Sequence, residues 1–415
     1  AEQVPVLMEK AIASEIYSRG GGGDNPRNIM MSPLSGVQKG EAFDVKPYAE
    51  AAAEYLLSIA GEIHMPRKLK VAFSNGADDS VHSAFRDMGF MANLDGTFTL
   101  RIAGGLGGGY KMGVLVDEHV PATEILYYIR AMIETFCQHG NYENRAKART
   151  RFMQETLGVD GLKAAFLENV AKMKEKGGLD LHVTAKPVTK KGSGEIVDKR
   201  VVAQKQPGLY AVAYHPIGGC LPAGKPAELL TLVREIPDAE CRIAPHETIY
   251  IINLTADEAE KVLEVTNDGA QSTFENSVAC IGAAICQQGV RDSQAALRAA
   301  VEAVREAKIP DGALPRICIS GCPSSCSGHQ AAALGFQGAA KTVDGKPESA
   351  FKMFVGGSDK LGAAKFGEAG AVILERDLPK FFVDLGQAVA SRNMNWETWI
   401  AGHEDEFKAI VEKYA

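Results

Sequence analysis

The stretches MPRKLKVAFS (residues 65–74) and LPRICIS (residues 314–320) decide the fold, because they show that the chain repeats itself. Each places Pro-Arg ahead of a short β-rich run that ends at a serine and a glycine-bearing loop. Pro66 and Pro315 lie 249 residues apart. A copied strand and loop predict a copied structural unit.

Both copies continue in parallel. AGGLGGGYKMG, from Ala103, is matched by VGGSDKLG, from Val355, at an offset of 252 residues. An apolar strand follows in each copy, and then a proline, Pro121 or Pro379, opens a long amphipathic helix. The apolar face of the first helix is formed by Ile125, Tyr128, Ile129, Met132 and Phe136. The sequence therefore predicts two related α/β units of roughly 140 residues each.

The segment between the copies has a different character. It opens with the basic stretch KPVTKKGSGEIVDKR (residues 186–200), predicted to be a solvated hairpin or linker, with a docking site as the alternative. A strand at 209–215, a helix at 227–233, a strand at 248–253 and a helix at 256–264 are predicted after it. The predicted fold class is α+β. Homologous α/β domains at 1–180 and 271–415 flank a smaller unit at 181–270.

Composition excludes several classes of protein. The 415 residues carry a net charge of −7, which argues against a nucleic-acid binder. The chain contains no apolar run near the roughly twenty residues that a membrane span needs, and its start lacks the pattern of a signal peptide. Eight cysteines in such a chain suit a reducing compartment, so a cytoplasmic location is predicted.

Four of the cysteines are paired by their spacing. Cys280 and Cys286 form C-x5-C, and Cys322 and Cys326 form C-x3-C. Four thiolates suit a [4Fe-4S] cluster, and the wide first pair favours iron over the zinc alternative, because structural zinc prefers two tight pairs. The remaining cysteines lie among apolar neighbours and are predicted to be buried free thiols: Cys137, Cys220, Cys241 and Cys318.

These motifs together resemble the sirohaem and [4Fe-4S] sulfite and nitrite reductases. The resemblance covers nearly the whole chain. It rests on ACIGAAIC, ISGCPSSCS, GDNPRNIMMSPLSG (residues 23–36), HMPRKLKVAFS, NRAKARTRFM (144–153), GLYAVAYHPIGG (208–219) and the glycine-rich loops. It implies two homologous α/β domains around a ferredoxin-like half-domain repeat, with sirohaem held at the junction. Residues 200–265 are similar to the second of those half-domains.

The resemblance also implies a division of labour among the site residues. Cys280, Cys286 and Cys322 would bind only the cluster, while Cys326 would bind both the cluster and the haem iron. The substrate anion would be held by Arg27, Lys68 and Lys70. Lys68 and Lys70 alternate along a strand and so share one face, although an exposed basic strand is the alternative.

Sirohaem carries many carboxylates, so its pocket needs basic side chains and backbone N–H groups. The resemblance implies that it is bound by Arg67, the glycines of loop 104–109 beginning with Gly104 and Gly105, Arg242, Ser324 and Cys326. Arg145 and Arg149, four residues apart, are predicted to lie on one face of a helix and to contact the cofactor, with a solvent-exposed face as the alternative. His329 is predicted to be a polar neighbour of the site or a surface residue, rather than a ligand.

The chain departs from the family pattern in three places. The family begins with a further half-domain, so this sequence is predicted to be truncated, or to act with a separate chain that supplies that part. Glu247 stands where the family has an amide, and we expect it to point away from the cofactor or to be protonated. Ser324 stands where asparagine is frequent, which removes one expected hydrogen bond.

The predicted function is the six-electron reduction of sulfite to sulfide. The lysine pair Lys68 and Lys70 favours sulfite, and reduction of nitrite to ammonia by the same mechanism is the alternative. An external donor such as ferredoxin is implied, with a basic docking face formed by Lys186, Lys190, Lys191, Lys199 and Arg200. A truncated electron-transfer or cofactor-binding subunit is a further alternative.

Overall fold

Two five-stranded sheets and one four-stranded sheet, with helices packed against them, form the architecture. The computed structural model describes residues 2–14, 16, 21–27 and 29–415. Residue 1, residues 15 and 17–20, and Asn28 of the GDNPRNIMMSPLSG motif lie outside the described residues. The predicted α+β fold class is confirmed. The predicted domain boundaries after residues 180 and 270 stay predictions.

The first repeat is built on one five-stranded sheet. Its elements are α1 (Val4–Ala13), β1 (Met30–Met31), α2 (Lys46–Ile59), β2 (Val71–Ser74), β3 (Met88–Ala92), β4 (Thr97–Ile102), β5 (Val114–Pro121), α3 (Ile125–His139), α4 (Met153–Thr156) and α5 (Gly158–Lys176). The apolar residues of α2, α3 and α5 pack with those of the sheet in one core. All five residues predicted for the apolar face of α3 are buried.

A smaller antiparallel unit follows. Its elements are β6 (Val201–Ala203), β7 (Tyr210–Tyr214), α6 (Lys225–Glu235), β8 (Glu240–Ile243), β9 (Ile249–Leu254) and α7 (Ala256–Val265), and its strand order is β6-β7-β9-β8. The sequence predicted β7, α6, β9 and α7 but missed β6 and β8, which have only three and four residues. Residues 177–200, all of them described, contain no helix or strand.

The second repeat has the topology of the first. Its elements are β10 (Val278–Ala279), α8 (Ser293–Glu306), β11 (Ile317–Ser320), β12 (Leu334–Val343), β13 (Lys346–Val355), β14 (Glu368–Leu374), α9 (Leu378–Ser391), α10 (Trp396–Ile400) and α11 (Glu404–Tyr414). In both five-stranded sheets the first two pairings are parallel and the last two antiparallel. The internal repeat is therefore a repeat of fold.

The register of the repeat differs from the one read from the sequence. Val71 pairs with Met88 and Ile317 pairs with Leu334, so equivalent residues of these strands lie 246 apart (317 − 71 and 334 − 88). The offset of 249, taken from the shared Pro-Arg, is wrong. Strand pairing fixes the register, and it places Arg316, rather than a lysine, at the position equivalent to Lys70.

A glycine pair supports the structural register. Gly89 and Gly335, also 246 residues apart, lie under the short 3-10 helices Ser83–Phe85 and His329–Ala331. A Cβ on either glycine would clash with the carbonyl oxygen of Ser83 or His329. Each helix can therefore close onto its strand only where the strand carries glycine. Within the described residues, no helix combines the length and apolar character that crossing a membrane requires.

Candidate functional site

A cavity of about 350 Å³ lies where the two repeats meet the four-stranded unit. Both repeats contribute to its wall, and the β8–β9 turn of the smaller unit contributes Pro245 and His246. The predicted site residues that line it are Arg67, Lys68, Lys70, Gly105, Ser324 and Cys326. The structure thus brings basic residues of the first repeat and the cysteine loop of the second to one cavity.

Lys68 and Lys70 enter the cavity because they directly precede β2, the strand whose residues are all buried. The backbone N–H of Lys70 donates to Asp87 Oδ2 at 2.9 Å, which fixes the course of the chain here. Burial, followed by repulsion from Arg86 and Arg149, lowers the pKa of Lys70 to about 8. Burial also lowers the pKa of Lys68. The alternative of an exposed basic strand does not agree with this position.

Asp87, to which no sequence motif pointed, organises this side of the cavity. It is 1 % exposed, and its carboxylate accepts hydrogen bonds from Arg149 Nη2 at 2.9 and 3.2 Å. Thr150 Oγ1 donates to it as well. One buried carboxylate therefore holds Lys70 through its backbone and Arg149 through its side chain.

Arg145 and Arg149 do not share a helix face, contrary to the prediction. Arg145 begins a 3-10 helix and pairs with Asp24 at 2.8 Å, whereas Arg149 has extended φ and ψ angles. Both still line the cavity. The alternating basic residues of RAKARTR could have indicated an extended segment instead of a helix.

The glycine-rich loop of the first repeat meets the cysteine loop of the second. Gly107 has a φ of +94°, and a Cβ there would lie 3.1 Å from the carbonyl oxygen of Ser324. Its N–H donates to Gln330 Oε1 at 2.7 Å. Gly104 does not line the cavity; its N–H donates to the carbonyl of Arg86 at 2.9 Å.

Arg151 was missed as a site residue. It is 6 % exposed, lines the cavity and donates from Nη2 to the carbonyl of Gly108 at 2.6 Å. Its Nη1, together with Arg149 Nε and Ser325 Oγ, is buried without a hydrogen-bond partner in the described part of the chain. Unpaired buried donors are costly, so three of them in one wall indicate a site shaped for an anionic ligand.

Cys326 lines the cavity, and the other three spaced cysteines lie near enough to influence its thiol. Burial and then the thiols of Cys280, Cys322 and Cys286 raise the pKa of Cys326, while Lys70 opposes the rise. Cys280 Sγ accepts from the N–H of Gly321 at 3.1 Å and lies 3.2 Å from Ser293 Oγ. Hydrogen bonds of this kind orient thiolate ligands and tune a bound metal centre.

The geometry of the cysteines does not decide between iron and zinc, so this choice stays a prediction. Among the residues that the structure describes, no three His, Cys, Asp or Glu side chains converge closely enough to hold one metal ion. Zinc would need four ligand atoms within about 2.3 Å of itself. A cubane cluster is several ångströms across, so its cysteines stand further apart.

Two of the arginines predicted as site residues lie outside the cavity wall. Arg27 donates to the carbonyls of Gly21 and Gly23 at 2.8 and 2.7 Å, although its charge still contributes to the lowered pKa of Lys68, after burial and Arg149. Arg242 donates from Nη1 to the carbonyls of Pro33 and Ser35, at 3.1 and 2.5 Å. The predicted cofactor contact of Arg242 therefore disagrees with its position on β8, where its side chain fastens a loop of the first repeat.

Two titratable residues lie near the cysteines, Glu247 half-buried and His329 fully buried. Glu247 Oε2 accepts from the N–H of Ala279 at 3.2 Å, and burial raises its pKa to about 7. His329 is fully buried, so it is not a surface residue, and burial lowers its pKa to about 4. Of the other cysteines, Cys318 is buried as predicted, whereas Cys220 and Cys241 are exposed.

The predicted docking face is only partly available. Lys190 Nζ lies 2.7 Å from Glu258 Oε2, and Arg200 donates to the carbonyls of Leu263 and Thr266. Lys199 donates to the carbonyl of Gln271. Lys186 and Lys191 are exposed. Most of this basic stretch therefore fastens the linker to the four-stranded unit.

Comparison with known proteins also finds similarity to nitrite and sulfite reductases. Residues 22–174 match the family described as "Nitrite and sulphite reductase 4Fe-4S domain". The chain is 27 % identical over 382 residues to the chloroplastic ferredoxin–nitrite reductase of Arabidopsis thaliana, covering 85 % of this chain and 62 % of that protein. The chain thus spans less than two thirds of the length of this relative.

Two further relatives come from bacteria. A ferredoxin–nitrite reductase of Synechococcus elongatus is 26 % identical, with 91 % of this chain and 75 % of that protein covered. A ferredoxin sulfite reductase of Mycolicibacterium paratuberculosis is 24 % identical, with 86 % and 65 % covered. The relatives thus include proteins named for either substrate.

A solved structure shares the fold. The Mycobacterium tuberculosis NirA protein superimposes with a TM-score of 0.76 at 22 % identity, covering 92 % of this chain and 71 % of that one. The matching family pattern, the relatives and the repeated fold agree with one another. The chain is therefore similar, over most of its length, to ferredoxin-dependent nitrite and sulfite reductases, and its residues 22–174 match the 4Fe-4S domain of that family.

Proposed function

We propose that this chain reduces sulfite to sulfide with six electrons, using sirohaem coupled to a [4Fe-4S] cluster and an external electron donor such as ferredoxin. The observation that carries the proposal is the shared cavity, in which Lys68 and Lys70 face the loop of Cys326. The family implies both cofactors. A substrate anion at this place would meet fixed positive charge beside the cysteine assigned to the haem iron.

The residues present fit these cofactors. Three buried donors have no hydrogen-bond partner in the described chain: Arg149 Nε, Arg151 Nη1 and Ser325 Oγ. The carboxylates of sirohaem would supply acceptors for them. Arg67 also lines the cavity, and Gly107 lets the backbone of its loop approach closely. Cys280, Cys286 and Cys322 would hold the cluster, and Cys326 would hold both cluster and haem iron.

The chain's own residues bind the anion and move protons. When bound, sirohaem and the cluster supply an open iron position and stored electrons. Lys68 and Lys70 neutralise the anion through Nζ. The lowered pKa of Lys70, about 8, makes its ammonium a better proton donor near neutral pH than an ordinary lysine. Arg149, held by Asp87, presents a guanidinium that can grip two oxygens at once.

Nitrite is the second candidate substrate. The first relatives reported above are named as nitrite reductases, whereas the presence of lysine at position 70 as well as 68 favours sulfite. Both substrates are small anions that need the same charges and protons. The side chain at position 70 is therefore the place to test the preference.

The first experiment asks whether the cofactors are present. Protein purified without oxygen should show a Soret band and a red-shifted band at about 590 nm, as chlorin-type haems do. It should also reduce sulfite or nitrite with reduced ferredoxin. A brown spectrum without the haem bands would overturn the reductase proposal and leave a cluster-bearing electron-transfer subunit.

The second experiment separates the substrates. Lys70→Asn should lower kcat/KM for sulfite by about 10- to 100-fold and change the nitrite value less, because it removes one charge and one proton donor. Lys39→Asn, at an exposed lysine, is the control. An unchanged ratio of the two kcat/KM values in Lys70→Asn would refute the argument for sulfite.

A further inference from the structure

Arg316 is the structural equivalent of Lys70. Lys70 directly precedes β2, and Arg316 directly precedes β11, at the offset of 246 residues that the strand pairings give. Both side chains line the same cavity. The cavity wall therefore carries one cation from each repeat at corresponding positions, although the resemblance to the family drew attention only to the first.

Arg316 is held in place by a link between the repeats. Its Nη2 lies 2.6 Å from Asp359 Oδ2, and His82 Nε2 lies 3.1 Å from the same oxygen. Asp359 belongs to the glycine-rich loop of the second repeat, whereas His82 belongs to the first. Burial acts to raise the pKa of Asp359, but the hydrogen bond with His82 and the charge of Arg316 outweigh it and hold the pKa well below its ordinary range.

Most of the guanidinium is left for another partner. Within the described residues, the bond to Asp359 is the hydrogen bond that Arg316 donates, so Nε and Nη1 make none to the protein. A guanidinium stays charged and offers five donors in a fixed fork. The side chain is 30 % accessible. Burial first, and then the charge of Arg316, lower the pKa of His246, so the guanidinium lies near this cavity-lining ring.

The surroundings of Arg316 suit an anion. The single carboxylate of Asp359 contacts both the guanidinium of Arg316 and the ring of His82. Cys318 and Val278 complete this part of the wall with apolar surface. The free donors of Arg316 are accessible from the cavity, so an anionic group bound there could accept hydrogen bonds from them.

We propose that Arg316 binds a carboxylate of the tetrapyrrole in the cavity, and that Asp359, braced by His82, positions its guanidinium. The inference rests on the proposed function, since it takes sirohaem as the occupant. It assigns Arg316 as a cofactor-binding residue and Asp359 as its positioning residue in the second repeat, which complements Arg149 and Arg151 of the first. Basic residues of both repeats would then bind the cofactor. The Asp359–His82 contact would hold these two groups of residues at a fixed distance from each other.

The test is a binding titration with sirohaem itself. Apo-protein that retains its cluster is titrated with sirohaem, and the Soret band reports binding. Arg316→Gln should weaken the affinity by about 10- to 100-fold, the effect typical of a lost charge-assisted hydrogen bond. Arg316→Lys should lose less, because the charge stays while the fork is lost. Asp359→Asn should lie between wild type and Arg316→Gln.

Controls separate this effect from misfolding. Arg298→Gln changes an exposed arginine of the same repeat and should bind like wild type. Acid-labile sulfide should stay at the wild-type level in all variants, which shows that the cluster loops still fold. If Arg316→Gln and wild type bind sirohaem equally, the inference about Arg316 is wrong and the proposed function stands. If wild type binds no sirohaem, both are wrong.

Discussion

The two repeats share a fold but close the same loop in opposite ways. In the first repeat, Asp79 accepts from the N–H and from Oγ of Ser83, both at 2.9 Å. The equivalent residues in the second repeat, 246 positions later, are Ser325 and His329. Ser325 Oγ and both ring nitrogens of His329 are buried without hydrogen-bond partners in the described chain. In the described first loop Ser80 Oγ is the buried side-chain atom that lacks a partner, whereas the second loop leaves three such atoms, including both nitrogens of His329.

The larger number of buried polar atoms without partners marks the second loop as the one expected to bind a ligand. At the position of Cys322 the first repeat has Gly76, and at the position of Cys326 it has Ser80. The first loop therefore carries neither cysteine, whereas the second carries Cys322 and Cys326, two of the four spaced cysteines. Buried polar groups without partners are destabilising. The second loop is therefore expected to depend on its cofactors for stability, and the first is not.

The largest effect is expected at Cys326. Cys326→Ser removes the thiolate proposed to join cluster and haem, while Ser80, its equivalent, shows that the loop itself tolerates serine. We expect loss of the haem absorption bands and of nearly all activity. Absorption spectra and acid-labile sulfide measure the two cofactors separately.

Cys241→Ser, at an exposed cysteine, is the control and should keep both cofactors. A Cys326→Ser protein with normal spectrum and turnover would show that another residue joins the two centres. It would also remove the functional contrast between the loops.

Asp87→Ala should have the next largest effect. It leaves Arg149 without its buried carboxylate partner and the Lys70 N–H without an acceptor. Breaking such a pair costs about 3–5 kcal/mol. We expect a lower urea midpoint and weaker anion binding. Asp160→Ala, at an exposed position on α5, should change neither; an equally small effect of Asp87→Ala would mean that the cationic wall does not depend on its buried support.

The sequence predicted the repeat, the packing of its helices and the meeting of the cysteines with Lys68 and Lys70. It could not predict Asp87, because a lone aspartate before a strand has no distinguishing pattern until the fold brings Arg149 to it. The register failed for a related reason. A shared Pro-Arg dipeptide is a local likeness, whereas register follows from hydrogen bonds between strands.

The wrong placement of Arg242 and Arg145 has a similar cause. Long side chains reach several ångströms, so the partner is decided by what packs nearby, and residues 33–35 and Asp24 are distant in sequence from these arginines. Motif position located Arg145 at the cavity wall but not Arg242. It could not say which way their guanidinium groups point.

Gly107→Ala tests the contact between the two loops. Alanine at a φ of +94° is strained by roughly 1–2 kcal/mol, and its Cβ would lie 3.1 Å from the carbonyl oxygen of Ser324. We expect sirohaem affinity to fall by about tenfold. Gly345→Ala is a matched control, because this exposed glycine also has a positive φ, +79°, and no atom lies within 4 Å of the Cβ it adds. Equal affinities in both variants would show that the loops need not approach closely.

The smallest expected effect is a difference in acid sensitivity at the His329 position. Its pKa is about 4 when folded, against 6.5 for an ordinary histidine, so between these values the unfolded chain binds more protons and stability falls as the pH falls. One such group contributes up to about 1.4 kcal/mol per pH unit. His329→Gln should therefore lose less stability than wild type between pH 6.5 and 4.5, measured by urea midpoints.

The variant should still lose some stability in acid, because burial also lowers the pKa values of His215 and His246. His139→Gln, at an exposed histidine, should follow wild type, and identical slopes in all three proteins would mean that the second loop is not the acid-sensitive one.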